Sequence, residues 1–243
     1  MECVSIHDLK PELDQLQSGD WFIVDVDDTL ITPQAVMFRP SSPFNALIDD
    51  LKKTAPPNLA EIVSTWRLSR KTMLVEQEWP TILEMLKKKG VTVIALTSMH
   101  TGTFGKISSM EHWRANELKS LGIIFSPIAT DTIKVLINSK QQPATLHQGI
   151  LFTGSHPKSD VLKSFIAMYG LPSKILFFDD RLPQVELLQE LCKDMNIPYK
   201  GYHYLAVTKL PYNSATDYGA IQTKALLDNC QWLEDEAVKE MQA

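Results

Sequence analysis

Cysteine is scarce and unpatterned. The three present in 243 residues, Cys3, Cys192 and Cys230, match neither a disulfide framework nor a metal-ligand spacing, and Cys192, inside an apolar helical stretch, reads as a core thiol. The six histidines do not cluster, which turns any metal site toward hard oxygen donors and away from zinc. Positive charge is not in excess: the formal net charge is -5 and no Lys/Arg stripe is present, so bulk attraction gives no support to nucleic-acid binding. The short basic cluster Lys87 to Lys89 suits a helix C-terminus. No apolar run approaches the roughly 18 residues of a membrane span, and the opening residues, with Glu2, His7 and Asp8, hold no basic segment followed by an apolar one. The expectation is a cytoplasmic protein without a membrane partner, export staying open because a removed signal peptide leaves no trace. Internal repeats and low-complexity segments are absent.

What is present is a chain 44% hydrophobic and 22% charged, enough to bury the core of one domain carrying a small insertion. Strands and helices alternate. The run Trp21 to Val24 predicts a first strand, and a Pro-rich connection follows over Pro33 to Pro43. Leu47, Ile48 and Leu51 predict a short helix broken at Pro56-Pro57; Leu59, Ile62, Val63 and Trp66 start a longer one. A helix from Pro80 stops at Gly90. Val91 to Leu96 is a continuous apolar strand, as in sheets covered on both faces. Ser108 and Glu111 form a capping box for a helix reaching Leu121. Ile123 to Phe125 reads as a strand. Residues 126 to 148 look irregular, with Ile133, Val135 and Ile137 alternating as a hairpin strand. Gly149 to Phe152 and Ile175 to Phe178 predict strands, each leading to a helix, over Lys158 to Tyr169 and Gln184 to Met195. Tyr202 to Val207 reads as the last strand and Tyr218 to Glu240 as a closing helix.

This succession predicts an α/β fold, a Rossmann-like parallel sheet with helices on both faces, whose ligands bind beyond the carboxyl ends of the strands. Polar residues collect there: Asp25, Asp27 and Thr29 after the first strand, Thr97 and Ser98 after the second, Asp179 and Asp180 after the fourth, with Lys158 opening the helix between. Two carboxylates on alternate positions at one loop mouth raise each other's pKa unless a cation or a proton lies between them. The competing readings are plain: an acidic turn for Asp25 and Asp27, a strand-end hydroxyl for Thr97, a surface turn or helix cap for Asp179-Asp180. A calcium loop is disfavoured, since the expected glycine and glutamate positions after Asp25 are empty of them.

Taken in order, Asp25-x-Asp27-x-Thr29, Thr97, Lys158 and Asp179-Asp180 resemble the four motifs of the haloacid dehalogenase (HAD) superfamily, and the details are similar to a sparsely characterised bacterial branch of its phosphatases. The resemblance covers roughly 20 to 30, 82 to 125 and 149 to 206. It implies a HAD-like core over 1–30 and 79–243 with a small, mostly helical cap over 31–78. It also implies a magnesium-dependent phosphomonoester hydrolase. Asp25 would attack phosphorus to give an aspartyl-phosphate, and Asp27 would protonate the leaving oxygen and then deprotonate water. Dehalogenase members lack an aspartate at the second position, whereas phosphatases and phosphomutases have one. Thr97, Ser98 and Lys158 would hold phosphoryl oxygens, with Asp28 and Thr29 in support. Asp25, the Asp27 carbonyl, Asp179 and Asp180 would hold Mg²⁺, Asp180 directly or as an orienter.

Lys158, at a helix start, can reach the strand ends, whereas Lys163 lies roughly 140° around the helix and cannot share that direction. Gln184 and Val185 stand where the family pattern has a further acidic or amide residue, Glu186 just beyond. His100 and His156 read as loop histidines. Phe38, Phe44, Trp66 and Trp79 read as packing. A closed cap implies a small-molecule phosphomonoester as partner; an open one admits a protein phosphosubstrate. Two alternatives share these residues, a phosphomutase or phosphotransferase and a non-catalytic interaction protein with the same fold.

Overall fold

The structure is a computed structural model describing residues 1–140 and 142–242. In chain order its elements are β1 (Glu2–Cys3), α1 (Lys10–Asp14), β2 (Trp21–Val24), β3 (Ile31–Pro33), α2 (Leu47–Thr54), α3 (Leu59–Ser69), β4 (Thr72–Leu74), α4 (Trp79–Lys88), β5 (Thr92–Thr97), α5 (Met110–Ser120), β6 (Lys134–Ile137), β7 (Ala144–His147), β8 (Ile150–Phe152), α6 (Lys158–Tyr169), β9 (Ile175–Asp179), α7 (Leu182–Asp194), β10 (Tyr199–Tyr204), α8 (Gly219–Asn229) and α9 (Asp235–Gln242). Period-two alternation turns Phe22 and Val24 to one face of the sheet, against Leu83 and Leu86 of α4 and Leu118 of α5. It turns Trp21 and Ile23 to the other, against Phe165 of α6 and Leu188 of α7. Both faces are dry, so the central strands are apolar at every position.

The main sheet has the order β1-β10-β9-β2-β5-β8-β7-β6. It is parallel from β1 to β8 and antiparallel through β8, β7 and β6. This is a mixed α/β fold with a central, mostly parallel sheet flanked by helices, consistent with a Rossmannoid arrangement. Its register builds the site. Val24 pairs with Ala95 of β5 and with Phe178 of β9, so the next residues, Asp25 and Asp179, emerge side by side, with Thr97 at the end of the strand on the other flank.

A separate antiparallel ribbon, β3 with β4, brackets α2 and α3. Their apolar faces form a third cluster, in which Met37, Ile48, Leu51, Val63 and Trp66 meet Leu226 and Trp232 from the C-terminal region. Polar ties strengthen that contact: Asp235 Oδ2 accepts from Val36 N at 2.9 Å and Glu234 Oε1 from Lys71 N at 2.6 Å.

Several local expectations are corrected. The α5 cap is Ser109, whose hydroxyl accepts from His112 N at 3.3 Å, not Ser108. Glu111 is buried and receives Gly102 N and Thr145 Oγ1, so it braces a loop against β7 and is not spent on a capping box. Ile123 to Phe125 is no strand: it is Ser126, the residue after it, that meets the start of β5, its N donating to Val93 O at 2.8 Å and its hydroxyl accepting from Val93 N at 2.9 Å, before β8 takes over the pairing at Ala95. The last strand begins at Tyr199, where pairing with Ile175 starts, and Ala206 to Lys209 is a 3-10 turn. The closing helix is two helices, parted at Cys230, which is left-handed with φ 47°. The hairpin strand near Ile133 to Ile137 is β6, but its partner β7 lies in the stretch read as irregular, since Thr145 and His147 blur its apolar pattern while being buried. Among the described residues no helix is long and apolar enough to cross a membrane.

Candidate active site

The loop after β2 is a tight, internally bonded turn. Asp25 N donates to Phe178 O at 2.8 Å, and Leu30 N and Ile31 N both donate to Val26 O, at 2.9 and 3.1 Å. The turn needs one left-handed residue, Asp28 at φ 59°, a conformation that a short polar side chain tolerates. The Asp28 carboxylate accepts from Thr32 Oγ1 at 2.8 Å, while burial pushes its pKa up to about 6. Thr29 joins this turn to the β9 loop, its hydroxyl accepting from Asp180 N at 3.1 Å. Trp79 Nε1 donates to Thr29 O at 3.1 Å.

Lys158 is buried, and its Nζ donates to Asp25 Oδ1 at 2.5 Å and to Asp179 Oδ2 at 2.6 Å. Asp179 Oδ1 accepts from Arg181 N at 2.9 Å. Asp180 completes a group in which one oxygen from each of Asp25, Asp179 and Asp180 lies within 4.8 Å of the others. Burial pushes the Asp25 carboxyl up to about 7, with Lys158 opposing the rise and Asp179 adding to it. Burial, then Asp25 and Asp179, push Asp180 up to about 9. One ammonium against three carboxylates leaves two negative charges uncompensated, the charge of a divalent cation. The donors are hard oxygens, so the residues fit Mg²⁺.

A pH dependence follows. A carboxyl raised by folding contributes stability that is complete below its unfolded pKa, about 4. Here that contribution is lost as the pH rises through about 7 for Asp25 and about 9 for Asp180. A divalent cation held by these groups would need them deprotonated, so its stabilisation would grow over the same window. Thermal unfolding is expected to show a gain of several degrees on adding Mg²⁺ at about pH 8.5 and little at about pH 5.5. A gain independent of pH would place the ion elsewhere.

Asp27, half exposed, turns from this group toward three arginines. Arg114 Nη2 donates to its two oxygens at 2.9 and 2.7 Å, and Arg70 Nη2 lies 3.6 Å from Oδ1. Both arginines also bind Glu117, at 2.6 and 3.0 Å. Burial opposes ionisation of Asp27, but Arg114, Arg70 and Arg67 outweigh it and hold the carboxyl well below the usual range. Sequence reasoning missed these arginines. For two of them the signal was periodic: Arg67 follows Val63 by four and Arg114 lies four from both Met110 and Leu118, so each occupies the buried face of its helix, whereas Arg70 is the extended residue just past the end of α3.

Asp25, Asp27, Asp28, Thr97, Ser98, Lys158, Asp179 and Asp180 line one cavity of about 200 Å³, together with Arg67, Arg70, Arg114 and Gln184. Thr29 acts behind this wall through Asp180. Thr97 is buried and Ser98 exposed at the rim; Lys163 is exposed. Phe38 and Trp66 reach the cavity from the 31–78 segment, whereas Trp79 lies in the main core. His100 stacks on Phe104, with ring centroids 4.4 Å apart.

Fold and site define an α/β protein with a carboxylate triad at the strand ends, two of its members bonded to a buried lysine, an arrangement consistent with a generic acidic, metal-binding active site. The chain belongs to the family described as "Protein of unknown function (DUF2608)", whose pattern matches residues 2–239. It is similar to "Uncharacterized protein RP296" of Rickettsia prowazekii (strain Madrid E), 27% identical over 248 residues that cover 99% of this chain and 88% of that protein. No solved structure matches.

Proposed function

We propose that this protein is a magnesium-dependent phosphomonoester hydrolase of HAD-like type, working through an aspartyl-phosphate on Asp25. The observation that carries the reading is the Lys158 ammonium between Asp25 and Asp179, with Asp180 beside them. A carboxylate oxygen of Asp25 bonds to phosphorus as the ester P–O bond breaks and the alcohol leaves. Water then attacks phosphorus, the P–O bond to Asp25 breaks, and inorganic phosphate departs. Bound by Asp25, Asp179 and Asp180, Mg²⁺ supplies neutralisation of the charge that gathers at the carboxylate and phosphoryl oxygens. Lys158 and the hydroxyl of Thr97 hold those oxygens. The 31–78 segment acts as the cap, and the small cavity suits a small phosphomonoester.

Release of inorganic phosphate from p-nitrophenyl phosphate, requiring Mg²⁺ and lost with Asp25→Asn, tests this reading. Asp27 carries the proton, and its pairing with Arg114 sets a condition on that role. An ionised carboxylate clamped by guanidinium groups holds no proton and is a weak base, so it must leave Arg114 and take up a proton before it can protonate an alkoxide. Asp27→Asn is therefore expected to lower hydrolysis of an alkyl phosphate by about 10²- to 10⁴-fold, and that of p-nitrophenyl phosphate, whose leaving group needs no proton, far less. Equal losses on the two substrates in kcat/KM, which reports only the steps up to the aspartyl-phosphate, would remove Asp27 as the proton donor to the leaving group.

A further inference from the structure

Three guanidinium groups crowd Asp27 and Glu117, and two of them take both carboxylates. Arg67, on α3 and 8% exposed, has none: among the described residues no carboxylate oxygen lies within 4 Å of it. The polar contact of its guanidinium is Nη1 to Met110 Sδ at 3.9 Å. Its flat faces lie near Phe104 and Trp113, 5.3 and 5.9 Å from the ring centroids. Burial and the like charges of Arg114 and Arg70 depress its pKa to about 9. An unpaired buried charge is costly, and an arginine in such a place is short of one anion.

Arg67 also stands where two cavities meet. Beside the main cavity lies a second one of about 300 Å³, and Lys52, Arg67 and Ser98 line both. Lys52 is already paired with Asp49 at 2.9 Å. His156 lines the second cavity, and its buried Nε2 has no hydrogen-bond partner among the described residues. Among the described residues Arg67 is thus the one buried cation of these walls without a carboxylate, next to space that continues from the carboxylate cluster.

We propose that the substrate carries a second anionic group, a carboxylate or a second phosphate on the leaving-group side, which lodges in the side cavity against Arg67. The proposal rests on the phosphatase reading of the main cavity, where the first phosphate sits. The missing counter-charge is then supplied by the substrate, and a neutral leaving group forgoes that contact. If Arg67 served only to cover Phe104 and Trp113, its charge would be irrelevant to selectivity.

Three non-hydrolysable ligands with one carbon chain test this by titration calorimetry with Mg²⁺: propylphosphonate, 3-phosphonopropionate and propane-1,3-diphosphonate. The wild-type protein is expected to bind one of the two doubly anionic ligands tighter than propylphosphonate by about tenfold or more, and which of them wins names the group. In Arg67→Gln that ratio is expected to fall to near one, and in Arg67→Lys to survive in part, since a point charge remains without the planar fork. Equal binding of all three ligands by the wild type, no binding of either doubly anionic ligand, or an undiminished ratio in Arg67→Gln overturns the proposal. The wild-type comparison stands even if a variant does not fold. A preference that persists while no phosphomonoester is hydrolysed would instead fail the phosphatase reading and leave the anion site intact.

Discussion

Asp25→Asn is expected to lower Mg²⁺-dependent phosphate release by about 10⁴-fold or more, the scale of losing a covalent nucleophile. The amide oxygen carries no formal charge to donate to phosphorus, while the side chain keeps its shape and can still accept from Lys158. The substitution also removes one of the carboxylates that crowd Lys158. Two carboxyl groups, Asp179 and Asp180, remain for one ammonium, so the Mg²⁺-free protein should unfold at the same or a higher temperature than the wild type at about pH 8. The pairing of outcomes is what discriminates: activity gone, stability kept. Turnover above about 1% of wild type in a metal-dependent assay would remove Asp25 as the nucleophile.

Lys158→Met should act in the opposite sense on stability. Its ammonium is the cation bonded to Asp25 and Asp179, and methionine fills similar volume without charge. Breaking a buried pair by removing one partner costs about 3–5 kcal/mol, so Mg²⁺-free Lys158→Met is expected to be destabilised by that amount at about pH 8, measured by denaturant unfolding. Because the orphaned carboxylates can then take up protons, the deficit should shrink as the pH falls toward 5. Turnover is expected to drop by about 10²- to 10³-fold, the loss of a donor that stabilises phosphoryl charge. Lys163→Met, exposed and on the same helix, should change neither quantity. Wild-type turnover in Lys158→Met would dismiss the phosphate-clamp role.

Much of this site was readable one residue at a time. The apolar strands announce where polar side chains must gather, because a strand buried on both faces has no use for Asp25 or Asp179 except at its end. Helical geometry alone separates Lys158 from Lys163, and in the structure the first is buried and the second exposed. The arginines were not read, although helical spacing put Arg67 and Arg114 on buried faces. A charge at a core position looks like an error in the pattern until its partner is known. Here the partner is 87 positions away, where Arg114 meets Asp27. β7 was overlooked for a related reason: the polar Thr145 is satisfied by Glu111, 34 positions away, in a bond that no local pattern encodes.

Most of the central strands and helices, and the ends at which chemistry gathers, are legible in the chain, because side-chain period, turn residues and apolar runs act over a few neighbouring positions. The electrostatics came from packing. Strand order set Asp25 beside Asp179 and brought Lys158 between them, and the packing of α3 against α5 paired Asp27 with Arg70 and Arg114 while leaving Arg67 unpaired. Charge interactions depend on distance in space and on exclusion of water, and both are properties of the packed chain.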